Sequence, residues 1–204
     1  MSTNLAIIAV TCIVSFLAFS NRALIERLIL WPPAISRDRQ YYRLLSYGLV
    51  HADGQHLLFN MITLYFFGQT MEPVYREYLG EFGFAGFYAG GLIVSILPTF
   101  LANRDNAGYR SLGASGAVSA VLFAFILVQP WATIYVYVVP VPAIIYAILY
   151  VAYSIYMDRR SADNINHSAH LWGAAYGIAF TLMMEPHLVS GFLEQVSHPG
   201  FRRQ

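Results

Sequence analysis

Long apolar runs alternate with short polar segments along most of the chain. The runs fall at about 4–20, 57–72, 83–102, 113–129, 131–157 and 168–185. The hydrocarbon core of a bilayer is about 30 Å thick, so each helical span needs roughly 17–25 mostly apolar residues. The pattern therefore predicts an all-α membrane protein, a bundle of six transmembrane helices whose two termini lie on the same side.

The composition agrees with this pattern. Of 204 residues, 57% are hydrophobic and 11% charged, and the mean hydropathy is +0.52, whereas soluble domains carry about 25% charged residues. We expect a single membrane domain over 1–204, with an interfacial loop at 21–55 and a short tail at 186–204. We expect this domain to be embedded in a lipid bilayer.

The arginines bear on partners and on orientation. The net charge is +1, and the 12 basic residues are scattered arginines without the basic stripe of a nucleic-acid-binding protein. We expect no nucleic-acid partner. Nine arginines fall in the odd-numbered loops and three on the opposite side. Counted simply, the positive-inside rule would place both termini outside the cytoplasm.

Glycine and proline mark special positions within the predicted spans. Gly86/Gly90 and Gly173/Gly177 have the spacing that lets two helices approach closely, and we expect them to pack helices. Pro140 and Pro142 fall inside the fifth run and should kink or split a helix there. Such a weakened span could admit another helix sideways.

Polar side chains open the three even-numbered spans. They are His51, His56 and Asn60 in the second span, Ser115 just after Gly113 in the fourth, and His167 and His170 in the sixth. Even-numbered spans enter the membrane from the same side, so these groups should lie at similar depth near one face. Ionisable groups inside a bilayer are costly and indicate function. His51 and His167 are expected to be either interface residues satisfied by water or supporting residues of the site. Asp53, just before the second span, is expected to cap that helix.

Ser115 and His170 could form a catalytic pair. A serine hydroxyl becomes a useful nucleophile when a base accepts its proton, and histidine suits that task near neutral pH. Attack on an amide creates an oxyanion that needs hydrogen-bond donors. His56, Asn60 and backbone amides near Ser115 could donate, with Gly113 allowing close approach of the backbone.

At these residues the chain resembles the rhomboid family of intramembrane serine proteases. The resemblance covers roughly 40–185, which we take as the rhomboid-like core. It depends on HxxxxHxxxN from His51 to Asn60, on GASG around Ser115, and on AHxxGxxxG around His170. A lone GxSG would be weak evidence, but three motifs on alternate spans are specific.

The resemblance implies a function and roles for several residues. It implies a serine endopeptidase with a Ser115/His170 dyad that cleaves transmembrane segments of other membrane proteins, without cofactor or metal. His56 and Asn60 fall on the family's oxyanion positions. Arg43 and Glu72 match positions expected to be structural. The family also implies a bacterial inner-membrane protein with both termini in the cytoplasm, against the arginine count.

One departure from the family concerns the ring of His170. Many members carry a tyrosine four residues after the nucleophile, and its ring stacks on the catalytic histidine. This chain has Ser119 at that position. The sequence leaves open what holds His170, although Trp172 is close in sequence.

Two other functions are compatible with parts of the pattern. The four histidines at the starts of the second and sixth spans, His51, His56, His167 and His170, could ligate a transition metal. That hypothesis leaves the GASG segment unexplained. A catalytically inactive relative could instead bind transmembrane helices, although retention of Ser115 and His170 argues against it. Substrate identity and oligomeric state are not encoded in any recognisable motif.

Overall fold

A computed structural model of the protein describes residues 2–160, 163 and 165–198. The tail expected at 186–204 is therefore described as far as residue 198. Arg202 and Arg203, which entered the arginine count, lie outside the described residues.

Helices dominate the described structure. Those that correspond to the six predicted spans are α1 (Thr3–Phe19), α5 (Gly54–Leu79), α6 (Gly83–Ala102), α7 (Ser115–Val128), α8 (Ala143–Arg160) and α9 (His167–Met184). The short helices α2 (Arg22–Leu28), α3 (Pro32–Ser36) and α4 (Arg43–Ser46) lie between α1 and α5, and α10 (Leu188–Ser197) follows α9. A short hairpin of β1 (Thr133–Val136) and β2 (Val139–Pro142) separates α7 from α8.

The helix α7 forms the centre of the bundle. Every residue from Gly116 to Leu127 is buried, and α9, α5 and α6 pack around it. Such burial on all sides is typical of a core helix without a polar face. The site residue at the start of α7 is therefore held by the most enclosed element of the fold.

Length and hydropathy alone single out fewer spans than the sequence pattern did. Among the described helices, only α6 is long and apolar enough to cross a bilayer by these two measures, while α1 and α7 are apolar but shorter. Polar residues of the other helices, including the histidines of α5 and α9, lower their mean hydropathy.

Close packing of α7 against α9 depends on glycine. A side chain at Gly173 would overlap the backbone carbonyl of Gly116, and one at Gly177 would overlap that of Ala120. The predicted packing role of Gly173/Gly177 is confirmed. The prediction for Gly86 is wrong, because a side chain there would meet open space, whereas one at Gly90 would meet the Tyr176 ring.

The expectation of a fifth helix from residue 131 is wrong in its first part. Residues 133–142 form an antiparallel hairpin in which Thr133 pairs with Pro142 and Val136 with Val139. Alternating β-branched and aromatic residues favour strands, and proline fits an edge strand because it has no N–H to donate. Pro140 and Pro142 therefore lie in β2 and do not kink a helix, so the predicted weak point in the fifth span is absent from the described structure.

The segment predicted as an interfacial loop is held by hydrogen bonds from Arg43 and by a backbone pairing with the loop before α7. Arg43 donates from Nη1 to the carbonyls of Glu26 (2.9 Å) and Ile29 (2.6 Å) and from Nε to Gln40 (2.7 Å). The carbonyls at the end of α2 accept no hydrogen bond within their helix, and the Arg43 guanidinium donates to them instead. Leu30 then pairs with Ser111 through two backbone hydrogen bonds, which ties this segment to the loop before α7.

Candidate active site

Ser115 and His170 lie in direct contact. Ser115 is the first residue of α7 and His170 lies in the first turn of α9, and their Oγ and Nε2 atoms are 2.8 Å apart. This distance is that of a hydrogen bond. The structure thus brings together the two residues whose spans were expected to open at the same face.

The start of α9 is fixed by a polar network. Asn166 accepts a hydrogen bond from the Ala169 amide (2.9 Å) and donates to the Tyr109 hydroxyl (3.2 Å) and to Thr99 (3.3 Å). Burial raises the pKa of the Tyr109 hydroxyl, so that group remains protonated. The cap holds the first turn of α9, and with it His170, in one position.

The loop before Ser115 has a backbone conformation that favours glycine. Gly113 has a φ of 107°, and its amide donates to the Tyr47 carbonyl (2.9 Å). A side chain at this position would also collide with the His56 ring, since its first carbon would lie 2.8 Å from Nε2. Gly113 therefore lets the His56 imidazole pack directly against the backbone two residues before the nucleophile.

His56 and Asn60 lie on the first turns of α5. The side chain of Asp53 accepts from the His56 amide (2.8 Å), which confirms the predicted cap. The Asn60 side chain is buried, and its Nδ2 donates to the His56 carbonyl of its own helix (3.1 Å). His56 thus reaches the loop before Ser115, while the hydrogen bond found for Asn60 stays within α5.

His51 holds the same loop and lies next to His56, with 4.9 Å between ring centroids. Its Nε2 accepts from the Ala114 amide (3.3 Å), and its Nδ1 lies 2.9 Å from Ser15 Oγ in α1. The Ser15 hydroxyl donates onward to the Leu49 carbonyl (2.8 Å). Since Nε2 accepts, Nδ1 must carry the proton and donate to Ser15. His51 is fully buried and positions the backbone beside Ser115.

The other histidine of α9 pairs with an acid. His167 is buried, and its Nε2 lies 3.2 Å from the Asp163 carboxylate. Its ring meets that of His170 edge to face, with 5.7 Å between centroids. Asp163 thus reaches His167 rather than His170.

The two positions expected to be structural make extensive contacts. Arg43 contacts the carbonyls of the loop helices, as described above. The buried Glu72 accepts from Ser2 Oγ, from the amides of Thr3 (2.7 Å) and Asn4 (3.1 Å), and from Arg76 (2.9 Å). Four donors on one carboxylate fix the first turn of α1 against α5.

Sequence reasoning missed the residue that covers the His170 ring. Tyr150 of α8 stacks on it, with 6.0 Å between ring centroids and 29° between ring planes. Trp172 is half exposed. Ser15 was also missed, although a serine within an apolar run is a signal that could have drawn attention to it. Tyr150 gave no such signal, because α8 contains several other tyrosines.

The arrangement of histidines does not favour a metal centre. Within the described residues, no group of three or more His, Cys, Asp or Glu side chains is placed so that it could hold an ion. His51 donates and accepts through both ring nitrogens within the protein, and His170 directs Nε2 at Ser115. These ring nitrogens already make hydrogen bonds within the protein, which competes with binding a metal.

Comparison with known families agrees with the geometry. The model of the rhomboid domain matches residues 38–187, which is well over half of the chain. The chain belongs to the rhomboid family. It is therefore an integral membrane protein with an all-α, rhomboid-like fold, and its six core helices are those of a rhomboid bundle.

Curated relatives come from plants and bacteria. RHOMBOID-like protein 12, mitochondrial, of Arabidopsis thaliana is 33% identical over 68% of this rhomboid chain and 45% of its own length. RHOMBOID-like protein 4 of the same plant is 35% identical over 78% of this chain and 38% of its own length. The putative rhomboid protease YdcA of Bacillus subtilis is 25% identical over 76% of each. The chain spans less than half the length of the two plant relatives.

Proposed function

We propose that the protein is an intramembrane serine endopeptidase that uses Ser115 as nucleophile and His170 as general base. The observation that carries this proposal is the 2.8 Å separation of Ser115 Oγ and His170 Nε2. Membership of a family that includes serine proteases supports it. A helix-binding protein without catalysis would not need a hydroxyl and an imidazole at hydrogen-bond distance.

The reaction follows from these two groups. In the resting pair the Ser115 hydroxyl donates to His170 Nε2. As Oγ attacks the carbonyl carbon of the scissile amide, Nε2 accepts the proton, and the imidazolium then passes it to the leaving amine. Water then attacks the acyl ester on Ser115 while His170 accepts its proton, and the imidazolium returns that proton to Oγ as the C–Oγ bond breaks and the carboxylic acid product leaves. The dyad returns to its starting state.

Stabilisation of the oxyanion is proposed for the groups around the start of α7. The first amides of a helix have no acceptor within it, and Ser115 opens α7. The His56 ring lies beside Gly113 on the same loop. We assign His56, the backbone N–H groups near Ser115 and the second N–H of Asn60 as donors. One such donor typically contributes about 2.7–4 kcal/mol to transition-state stabilisation.

The proposed substrates are membrane proteins whose transmembrane segment can unwind near one membrane face. A peptide bond inside an intact helix is shielded, because its backbone groups are hydrogen-bonded along the helix. Water is the second substrate and must reach Ser115. For localisation we propose a bacterial inner membrane with both termini in the cytoplasm, so that the dyad opens toward the opposite side.

A hydroxyl-directed probe tests the proposed nucleophile. Purified protein in detergent is treated with a fluorophosphonate, and the labelled peptide is identified by mass spectrometry. We expect the label on Ser115, and we expect it to be lost in Ser115→Ala and to fall at least about 100-fold in rate in His170→Ala. Ser197→Ala, which removes an exposed hydroxyl on α10, is the control. An unlabelled wild type, or a label on another serine, would contradict the assignment.

A further inference from the structure

The imidazole of His170 has a single hydrogen bond among the described residues, the one to Ser115. In a serine triad, an acid hydrogen-bonded to Nδ1 fixes the orientation of the imidazole. Here Asp163, the acid just before α9, is hydrogen-bonded to His167. The orientation of His170 must therefore come from ring contacts, and two rings flank it, those of His167 and Tyr150.

Tyr150 presents its ring to His170 in an offset-stacked arrangement. The centroids are 6.0 Å apart and the planes are inclined by 29°, within the range of favourable aromatic pairs. The His167 ring meets His170 at its edge, at 76° between planes. The stacked contact with Tyr150 restricts tilting of the imidazole, which the edge contact alone would leave free.

The Tyr150 ring is itself anchored on the helix of the nucleophile. Its hydroxyl lies 2.6 Å from Ser119 Oγ, and its ring packs on Phe123 with 5.5 Å between centroids. Ser119 lies one turn after Ser115 on α7. The helix α7 therefore contacts Tyr150 through Ser119 and His170 through Ser115. Ser119 is buried, which leaves its hydroxyl no access to water as an alternative partner.

We propose that Tyr150 is a positioning residue that orients the His170 imidazole toward Ser115, with Ser119 holding Tyr150 in place. This inference depends on the proposed dyad and adds a third helix to it. Because Tyr150 lies on α8, displacement of α8 would withdraw the ring from His170. The position of α8 and the orientation of the His170 imidazole toward Ser115 are therefore coupled.

A pair of tyrosines on α8 allows a matched test. Tyr150→Leu and Tyr150→Met remove the planar ring but keep apolar volume, and Tyr156→Leu removes the half-exposed ring of another tyrosine of the same helix, which packs on Arg160. Cleavage of a transmembrane reporter is measured in liposomes. We expect kcat to fall at least about tenfold in both Tyr150 variants with KM changed less than about twofold. Tyr156→Leu should keep the wild-type kcat.

Two further variants separate the ring from its anchor. Tyr150→Phe keeps the ring and loses the hydroxyl, so kcat should recover to within about threefold of the wild type. Ser119→Ala removes the other partner of the same hydrogen bond. The double variant should therefore be no slower than the slower single variant.

A readout without turnover completes the test. Carbethoxylation of His170 by diethylpyrocarbonate, followed by mass spectrometry, reports how exposed the imidazole is. We expect faster modification in Tyr150→Leu than in the wild type and in Tyr156→Leu.

The outcomes are distinguishable from failure of the dyad itself. If the wild type is not labelled by a fluorophosphonate at Ser115, the proposed function fails. If the wild type is labelled and cleaves, but Tyr150→Leu or Tyr150→Met retains the wild-type kcat and His170 reactivity, this inference alone is overturned. An equal fall in kcat for Tyr156→Leu would also overturn it, because the effect would then be one of α8 packing.

Discussion

His51 links the first helix to the backbone beside the proposed nucleophile. Its Nδ1 lies 2.9 Å from Ser15 Oγ, and its Nε2 accepts from the Ala114 amide at 3.3 Å. The residue next to Ser115 is thus fixed by a relay that begins on α1. A histidine that could have been an interface residue or a metal ligand instead shapes the loop that presents the hydroxyl.

Removing the far end of this relay should destabilise the fold. In Ser15→Ala the His51 Nδ1–H loses its acceptor, and a buried unsatisfied donor costs about 1–3 kcal/mol. We expect the free energy of unfolding in mild detergent to fall by about that amount. Ser20→Ala, an exposed position just after α1, should change it by less than about 0.5 kcal/mol. Equal stability of Ser15→Ala and the wild type would argue against the relay.

The loop glycine offers a second test, aimed at activity. In Gly113→Ala the added carbon meets the His56 ring at a φ of 107°, so His56 or the loop must shift. Probe labelling of Ser115 should slow by at least about tenfold. Gly80→Ala is the matched control, because Gly80 also has a positive φ, 79°, but open space around it. Gly80→Ala should lose about 1–3 kcal/mol of stability, because a φ of 79° with a ψ of −174° is adopted almost only by glycine, and it should keep its labelling rate. Similar labelling by the two variants would contradict the role assigned to Gly113.

Helix packing can be tested with a second pair of glycines. Gly177→Ala places a carbon against the Ala120 backbone, which cannot move without separating α7 from α9. Overpacking of this kind costs about 1–3 kcal/mol. Gly86→Ala has open space and should gain up to about 1 kcal/mol through helix propensity. Thermal unfolding in detergent measures both, and a destabilised Gly86→Ala would show that the close packing had been assigned to the wrong pair.

Glu72 should act through its hydrogen bonds to the start of α1. In Glu72→Gln one acceptor oxygen becomes a donor, which faces either the Thr3 amide and Arg76 or Ser2 and the Asn4 amide. We therefore expect a loss of about 1–3 kcal/mol in stability. Glu77→Gln, on the exposed side of the same helix, should be nearly neutral. Unfolding by denaturant of both variants decides the point. A Glu72→Gln protein as stable as the wild type would mean that the carboxylate is dispensable for docking α1.

The predictable part of the site followed from counting spans. His56, Ser115 and His170 open the second, fourth and sixth spans, and alternate spans must begin at the same face. No distance was needed for that inference, and the contact between Ser115 and His170 agrees with it. The cap by Asp53 was equally local, since a helix N-terminus selects a side-chain acceptor within a few residues.

The unpredictable part required contacts distant in sequence. Hydropathy does not distinguish an apolar hairpin from the start of an apolar helix, so the segment from Thr133 to Pro142 was assigned to the fifth span. Tyr150 was missed for a different reason. Its role depends on which face of α8 meets α9, and a helix surrounded by lipid and protein carries apolar and aromatic residues on both faces.

The most direct measurement of the central claim is cleavage of a transmembrane reporter reconstituted in liposomes. Wild type, Ser115→Ala and His170→Ala are compared, with His187→Ala as a histidine control at the start of α10. We predict cleavage by the wild type and by His187→Ala, and a loss of at least about 1,000-fold in the other two. Cleavage that survives in Ser115→Ala would contradict the account.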